Sequence, residues 1–236
     1  LDMTLFKRYT LNLSWYDKIT HDLITDVSIV PSSGFTSYKD NMGKVRNRGV
    51  EVNLNVNAIQ KQDWGLNVFF RASHNKNRIM EISDALKEYN QKVDDYYSKY
   101  PNYNKPLLKY TEGASLTSIY AVRSLGISPA NGQEVFLDAN GKVTYDWNAT
   151  NQVVVGNTEP KLQGSFGFNF RWKRWTLFTA ALFETGGDLY NSTLVDNVEC
   201  ADIWKSNVDK RVYTQRWLEP GDVAPLKSIK DRYQVT

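Results

Sequence analysis

The sequence predicts an all-β chain: a segment of an antiparallel transmembrane β-barrel with about five long strands and long loops, one of them containing a short helix. Three observations lead there. Apolar and polar residues alternate with period two over unusually long stretches. The connections between those stretches alternate between very short and very long. Aromatic residues reach 13% of the chain, yet the mean hydropathy is negative. No apolar run approaches the roughly 18 residues a membrane helix needs.

The first strand is expected at about 5–19, where Leu11, Leu13 and Trp15 alternate with Asn12, Ser14 and Tyr16. The second, about 46–59, sets Val50, Val52, Leu54 and Val56 against Glu51, Asn53, Asn55 and Asn57. After the polar break Gln60-Lys61-Gln62-Asp63, the third strand, about 64–78, carries Trp64, Leu66, Val68, Phe70 and Ala72 on one parity. Its other parity is Gly65, Asn67, Phe69, Arg71 and Ser73. The fourth, about 160–172, sets Leu162, Gly164, Phe166, Phe168, Phe170 and Trp172 against Gln163, Ser165, Gly167, Asn169 and Arg171. The fifth, about 175–189, follows the break Lys173-Arg174 with Trp175, Leu177, Thr179, Ala181 and Phe183. Each matches or exceeds the roughly 9–11 residues of a tilted strand crossing a bilayer, about twice the usual soluble strand.

The loops at about 20–45, 79–158 and 190–236 are long, whereas 60–63 and 173–174 are short. Strand by strand, that parity puts every short turn on one rim and every long loop on the other, as in outer-membrane barrels. Soluble domains rarely hold structureless connections beyond about 15 residues. Within 79–158, Ser83 or Asp84 can cap a helix whose Ile82, Leu86, Tyr89 and Val93 share a face, and Pro101 and Pro106 end it. Short strands are expected from Ser118 to Val122 and from Glu134 to Tyr145, the latter broken by the turn Asp138-Ala139-Asn140-Gly141.

The 29 basic and 26 acidic residues are interspersed, with no stripe that would indicate nucleic acid. Cys200 is the single cysteine, so there is no intrachain disulfide. The start Leu1-Asp2-Met3-Thr4-Leu5 has no signal-peptide pattern, which for an exported protein implies a mature or truncated chain.

Trp64, Trp172 and Trp175 flank the two short turns beside Lys61, Lys173 and Arg174. They are candidates for an interfacial aromatic girdle with basic residues at the headgroups; the competing reading is ordinary cross-strand aromatic packing. Tyr96, Tyr97, Tyr100, Tyr103, Tyr110 and Trp147 in the long loops are candidates to contact cargo or a lid, set against self-packing of the loop. Asp138, Asn140 and Gly141 resemble the opening of a calcium loop, but its remaining ligands are missing and an Asn-Gly turn accounts for them. His21 and His74 have no zinc-site spacing. There is no GxSxG, P-loop or GxGxxG, and Glu184, Asp188 and Asp196 do not by themselves make a glycosidase pair. No enzyme, cofactor or metal site is expected.

Several stretches resemble one family. They are Asn47-Arg48-Gly49-Val50-Glu51-Val52; Glu112-Gly113 leading to Ser118-Ile119-Tyr120; Gly126-Ile127-Ser128-Pro129-Ala130-Asn131-Gly132-Gln133-Glu134; and Asp138-Ala139-Asn140-Gly141-Lys142. Val155-Gly156-Asn157-Thr158-Glu159-Pro160-Lys161 is the most specific, running into Gly164-Ser165-Phe166 and closing with Gly186-Gly187-Asp188-Leu189-Tyr190-Asn191. Arg216-Trp217 with Pro220-Gly221-Asp222 completes the set. In order and spacing, these resemble the SusC/RagA family of TonB-linked outer-membrane proteins. The resemblance implies that 1–236 is a C-terminal-side part of one receptor barrel domain, with the plug and N-terminal domains outside it. It further implies TonB-energised import of a large nutrient (oligosaccharide or peptide) through the outer membrane of a Gram-negative bacterium. The implied partners are a SusD-like surface lipoprotein over the loops, TonB acting through the plug, glycan or peptide cargo, and outer-membrane lipid. The rival reading is a secreted or cell-surface β-sandwich that binds glycan, in which Val50, Val52, Leu54 and Val56 would face a closed protein core.

Overall fold

A computed structural model describes residues 1–28, 37–41, 43–100, 107–205 and 207–231. The chain is mostly β, in antiparallel sheets. Its largest sheet has six strands: β1 (Asp2–Leu5), β2 (Tyr9–Thr20), β5 (Gly43–Gln60), β6 (Trp64–Ile82), β12 (Leu162–Trp172) and β13 (Trp175–Thr185), hydrogen-bonded in that order. The sheet is open, with β1 and β13 at its edges. Register is continuous from Tyr9↔Val56 to Thr20↔Val45, from Trp172↔Trp64 to Gln163↔Ser73, and from Trp172↔Trp175 to Leu162↔Thr185. The β5–β6 pair shifts only between Lys44 and Val45 and between Asn57 and Ile59. Continuity matters because a slip of one residue would exchange the two faces.

The first expected strand, 5–19, is two strands in the structure. Phe6 and Lys7 adopt φ of 51° and 55°, Arg8 N–H donates to the Leu5 carbonyl at 3.0 Å, and β1 folds back along β2. This three-residue hairpin connection, Phe6-Lys7-Arg8, lacks the Gly or Asn that usually marks such a turn. β6 continues to Ile82, beyond the expected 78, through Ile79-Met80-Glu81. β13 stops at Thr185, where Gly186 turns the chain at φ 80°.

Above the long-loop rim, the connections fold into their own cores. Ser83 caps α1 (Asp84–Lys99), its Oγ accepting from Leu86 N–H at 3.3 Å. Leu86, Tyr89, Val93 and Tyr97 on one helix face are buried against Ile79, Tyr110 and Ala149. Ile82, expected in the helix, is the last residue of β6 and packs against this core. The small strands β7 (Ser118–Ala121) and β11 (Val153–Asn157) pair, as do β8 (Arg123–Ile127), β9 (Glu134–Leu137) and β10 (Val143–Thr144), while β3 (Ile24–Ser28) pairs with β4 (Ser37–Asn41). A second core gathers Val198, Ala201, Val212 and Leu226.

Beside the second core, the Lys227 ammonium is fully buried, 3.2 Å from Glu199 and 3.6 Å from Glu134. Burial pushes the Glu134 carboxyl above its ordinary range, opposed by Ser124 and Lys227. The buried Arg216 guanidinium donates to the carbonyls of Val198, Glu199, Val212 and Lys227 at 2.8–3.1 Å. Four backbone acceptors from three separate segments are thereby tied to one planar fork.

Candidate functional site

Because the register does not slip, side chains of like parity line up in rows across the sheet. On one face, counted from the short-turn rim, the rows are Trp64–Trp172–Trp175, Leu66–Phe170–Leu177, Tyr9–Val56–Val68–Phe168–Thr179 and Leu11–Leu54–Phe70–Phe166–Ala181. Then come Leu13–Val52–Ala72 and Trp15–Val50–His74. This apolar face is open: Trp15 is 69% exposed, Phe166 51% and Trp175 76%. The next row on the same face is charged, Asp17–Arg48–Lys76, followed by Ile19–Arg46–Arg78. Arg46 Nε and Arg48 Nε donate to the Asp17 carboxylate at 2.7 and 2.9 Å.

The short-turn rim holds all the girdle candidates. Trp172 pairs with Trp64 on one side and Trp175 on the other. Lys61 Nζ lies 5.5 Å from the Trp64 ring centroid, and Lys173 Nζ 5.6 Å from that of Trp172. Lys173 turns the chain at φ 51°, its N–H donating to the Asp63 carbonyl at 2.6 Å; Arg174 is the exposed residue beside it. From the opposite face, Arg171 donates to the carbonyls of Lys61 and Gln62 at 3.2 and 3.4 Å, bracing the 61–63 turn.

The other face is polar along β5 and becomes mixed toward β13. Asn67 donates to Asn57 at 2.9 Å, and Asn77 to Asn47 at 2.8 Å. The Tyr16 hydroxyl donates to Asn75 at 3.0 Å, whose amide in turn reaches Glu159. A recess here is lined by Glu51, Asn53, Arg71, Gln163 and Glu184. Phe69 and Phe178 stack at 6.0 Å over Gly167, where a Cβ would stand 2.1 Å from the Thr179 carbonyl oxygen and 2.7 Å from the Phe69 ring. The Arg71 guanidinium sits 5.3 Å from the Phe69 centroid.

The loop aromatics separate by burial. Tyr97 and Tyr110 are only 3% and 4% exposed in the α1 core, and Trp147 packs against Tyr97 at 6.0 Å. Burial raises the pKa of both tyrosines. These three rings are held within the loop module, so their surfaces meet protein in this structure. The Tyr96 ring packs at a tilt against the exposed Tyr100, 4.7 Å between centroids, at the end of α1. Tyr103, Pro101 and Pro106 lie outside the described residues. The Asp138 carboxylate accepts from Asn140 N–H at 2.9 Å and Lys142 N–H at 2.7 Å, the bonding of a β-hairpin turn. His74 Nδ1 contacts the Lys161 carbonyl.

Segments that stand apart in sequence meet at two places. Asp188 Oδ2 accepts from Asn157 N–H at 2.9 Å, Asp188 N–H donates to the Asn157 carbonyl at 2.8 Å, and Thr158 N–H donates to Thr117 at 3.1 Å. Gly187 lets the Thr158 carbonyl approach to 3.0 Å of its missing Cβ. At the second place, Trp217 lies over Gly132 and donates from Nε1 to the Pro129 carbonyl at 3.0 Å, while Gly221 N–H donates to that carbonyl at 2.8 Å. Trp15 is the last apolar residue before the charged row, and the switch from Leu11-Leu13-Trp15 to Asp17 is its signal in the sequence.

No protein-family model matches the chain. It is similar to TonB-dependent receptor P3 of Formosa agariphila (23% identity, covering 100% of this chain and 26% of the relative) and to TonB-dependent receptor P39 of the same organism (23%, 98% and 25%). The chain spans about a quarter of the length of these curated relatives. Among solved structures, it superposes on "Structure of the RagAB peptide transporter" with a TM-score of 0.69 and 20% identity, covering 94% of this chain and 24% of that one. The "closed-closed" state of the RagAB peptide importer gives 0.62 at the same identity, covering 94% and 25%.

Proposed function

We propose that this chain, a segment of a SusC/RagA-type TonB-dependent receptor, is part of the wall of an outer-membrane β-barrel that imports a large nutrient. One observation carries the reading: the height of the apolar face. Along β6, the apolar parity runs from Trp64 through Leu66, Val68, Phe70 and Ala72 to His74. Those ten steps, at about 3.3 Å each, span about 33 Å, and a strand tilt of about 40° reduces this to about 25 Å, the height of a barrel's lipid-facing band. Trp64, Trp172 and Trp175 would form the periplasmic girdle with Lys61, Lys173 and Arg174 at the headgroups, and Trp15 the opposite, outer interface. The face bearing Asn53, Asn55, Asn67 and Asn169 would line the lumen.

In this reading, the chain performs no covalent chemistry. Its loops, with the exposed Tyr100, would meet a SusD-like lipoprotein and the cargo, and TonB would act through a plug elsewhere in the receptor. The RagAB neighbours are described as peptide importers, which supports a peptide; an oligosaccharide belongs to the same class of large polar cargo. A β-sandwich would instead require a second sheet over the open apolar face.

The test is heat-modifiable migration of the full-length receptor in detergent gels. Faster migration of the unboiled sample is expected, because a closed barrel resists unfolding by detergent. Identical migration with and without boiling would favour the sandwich.

A further inference from the structure

Above Trp15, the outward face changes character within one row. Asp17, Arg48 and Lys76 are adjacent in register, and the row beyond adds Arg46 and Arg78. Four permanent cations and one carboxylate thus share a patch on three neighbouring strands, and Asp17 is bound to two of the cations. His74 adjoins the patch from the row below, and the nearby Lys44 is paired with Glu81 at 3.4 Å. The patch lies on the face that carries Leu13, Val52 and Phe70, not on the polar face of Asn47 and Asn75.

We infer that Arg46, Arg48, Lys76 and Arg78 bind the phosphate of an outer-leaflet lipid headgroup, rather than cargo or the lipoprotein lid. The inference rests on the barrel reading. In that orientation, Trp15 marks the outer interface, and the cations stand one to two rows beyond it, at headgroup height. Guanidinium pairs suit phosphate because their donors match its oxygens two at a time. Asp17 pre-orients Arg46 and Arg48 and leaves an excess of positive charge. Acyl chains of the same lipid would run down the apolar rows, so head and tail are recognised by contiguous surfaces. A soluble phosphate ligand would gain nothing from that continuity, and this commits the patch to a lipid.

The test uses the full-length receptor in neutral-detergent micelles, titrated by native mass spectrometry with lipid A, with enzymatically dephosphorylated lipid A and with inorganic phosphate. Phosphorylated lipid A is expected to bind roughly tenfold tighter than its dephosphorylated form. Lys76→Gln/Arg78→Gln should remove most of that preference, Lys76→Arg should keep it, and Lys142→Gln in a distant turn should leave it unchanged. Equal binding of the two lipids, competition by millimolar inorganic phosphate, or an unchanged preference in the double variant would overturn the inference. Heat-modifiable migration is followed on the same samples. A receptor that migrates as a barrel but ignores the phosphate defeats this inference alone, whereas one that does not behave as a barrel defeats the reading beneath it as well.

Discussion

The Tyr16 ring fills the space that a side chain at Gly49 would need. A Cβ there would stand 2.3 Å from Cζ and Oη of Tyr16 and 2.6 Å from the His74 carbonyl oxygen. The two residues are paired in register across β2 and β5, so the glycine is a packing requirement of its neighbour strand. It also lets the Tyr16 hydroxyl reach Asn75.

Gly49→Ala should therefore destabilise the receptor by about 1–3 kcal/mol, the usual cost of overpacking. Pairing it with Tyr16→Ala should give a loss smaller than the sum of the two single changes. Urea unfolding of the detergent-solubilised receptor measures both. An additive pair would contradict the steric relationship.

Lys227 should be the most sensitive residue of the second loop core. Lys227→Met leaves Glu134 and Glu199 facing one another without their shared cation, and breaking a buried pair costs about 3–5 kcal/mol. Amide exchange around 195–199 and 211–214 should accelerate in this variant, and Lys227→Met/Glu134→Gln/Glu199→Gln should recover part of the protection. Unchanged exchange in the single variant would show that the cation is dispensable.

The long strands were legible because their alternation is local and survives without knowledge of partners. The helix after Ser83 was legible through its cap and its 86–89–93 spacing. What escaped was decided elsewhere in the chain. The Phe6-Lys7 turn is imposed by pairing with β2, since neither residue favours positive φ. β6 runs past 78 to Ile82 because β5 pairs with it on one side and Ile79 is bonded to Ala114 on the other. Tyr97 and Tyr110 look identical in sequence to exposed tyrosines; the packing of α1 over Ile79 buries them. Burial of Lys227 depends on Glu134, more than ninety residues away, a pairing that neither segment announces.

The two faces of β12 should respond oppositely to charge. Phe168→Arg, on the apolar face, should cost about 2–4 kcal/mol near mid-bilayer, whereas Asn169→Arg should be mild. Folding of the two variants of the full-length receptor into lipid vesicles measures the difference. Equal stabilities would mean that the faces are not lipid and water.

The most direct test is accessibility along β12 in the bilayer. In a Cys200→Ser background of the full-length receptor, spin labels are placed one at a time at positions 166, 168, 169, 170 and 171 and read for collisions with oxygen and with a water-soluble nickel chelate. The account predicts high oxygen accessibility at 166, 168 and 170 and high nickel accessibility at 169 and 171. Uniformly low accessibility to both reagents at 166, 168 and 170 would contradict it, because that is the signature of a strand buried between two protein sheets.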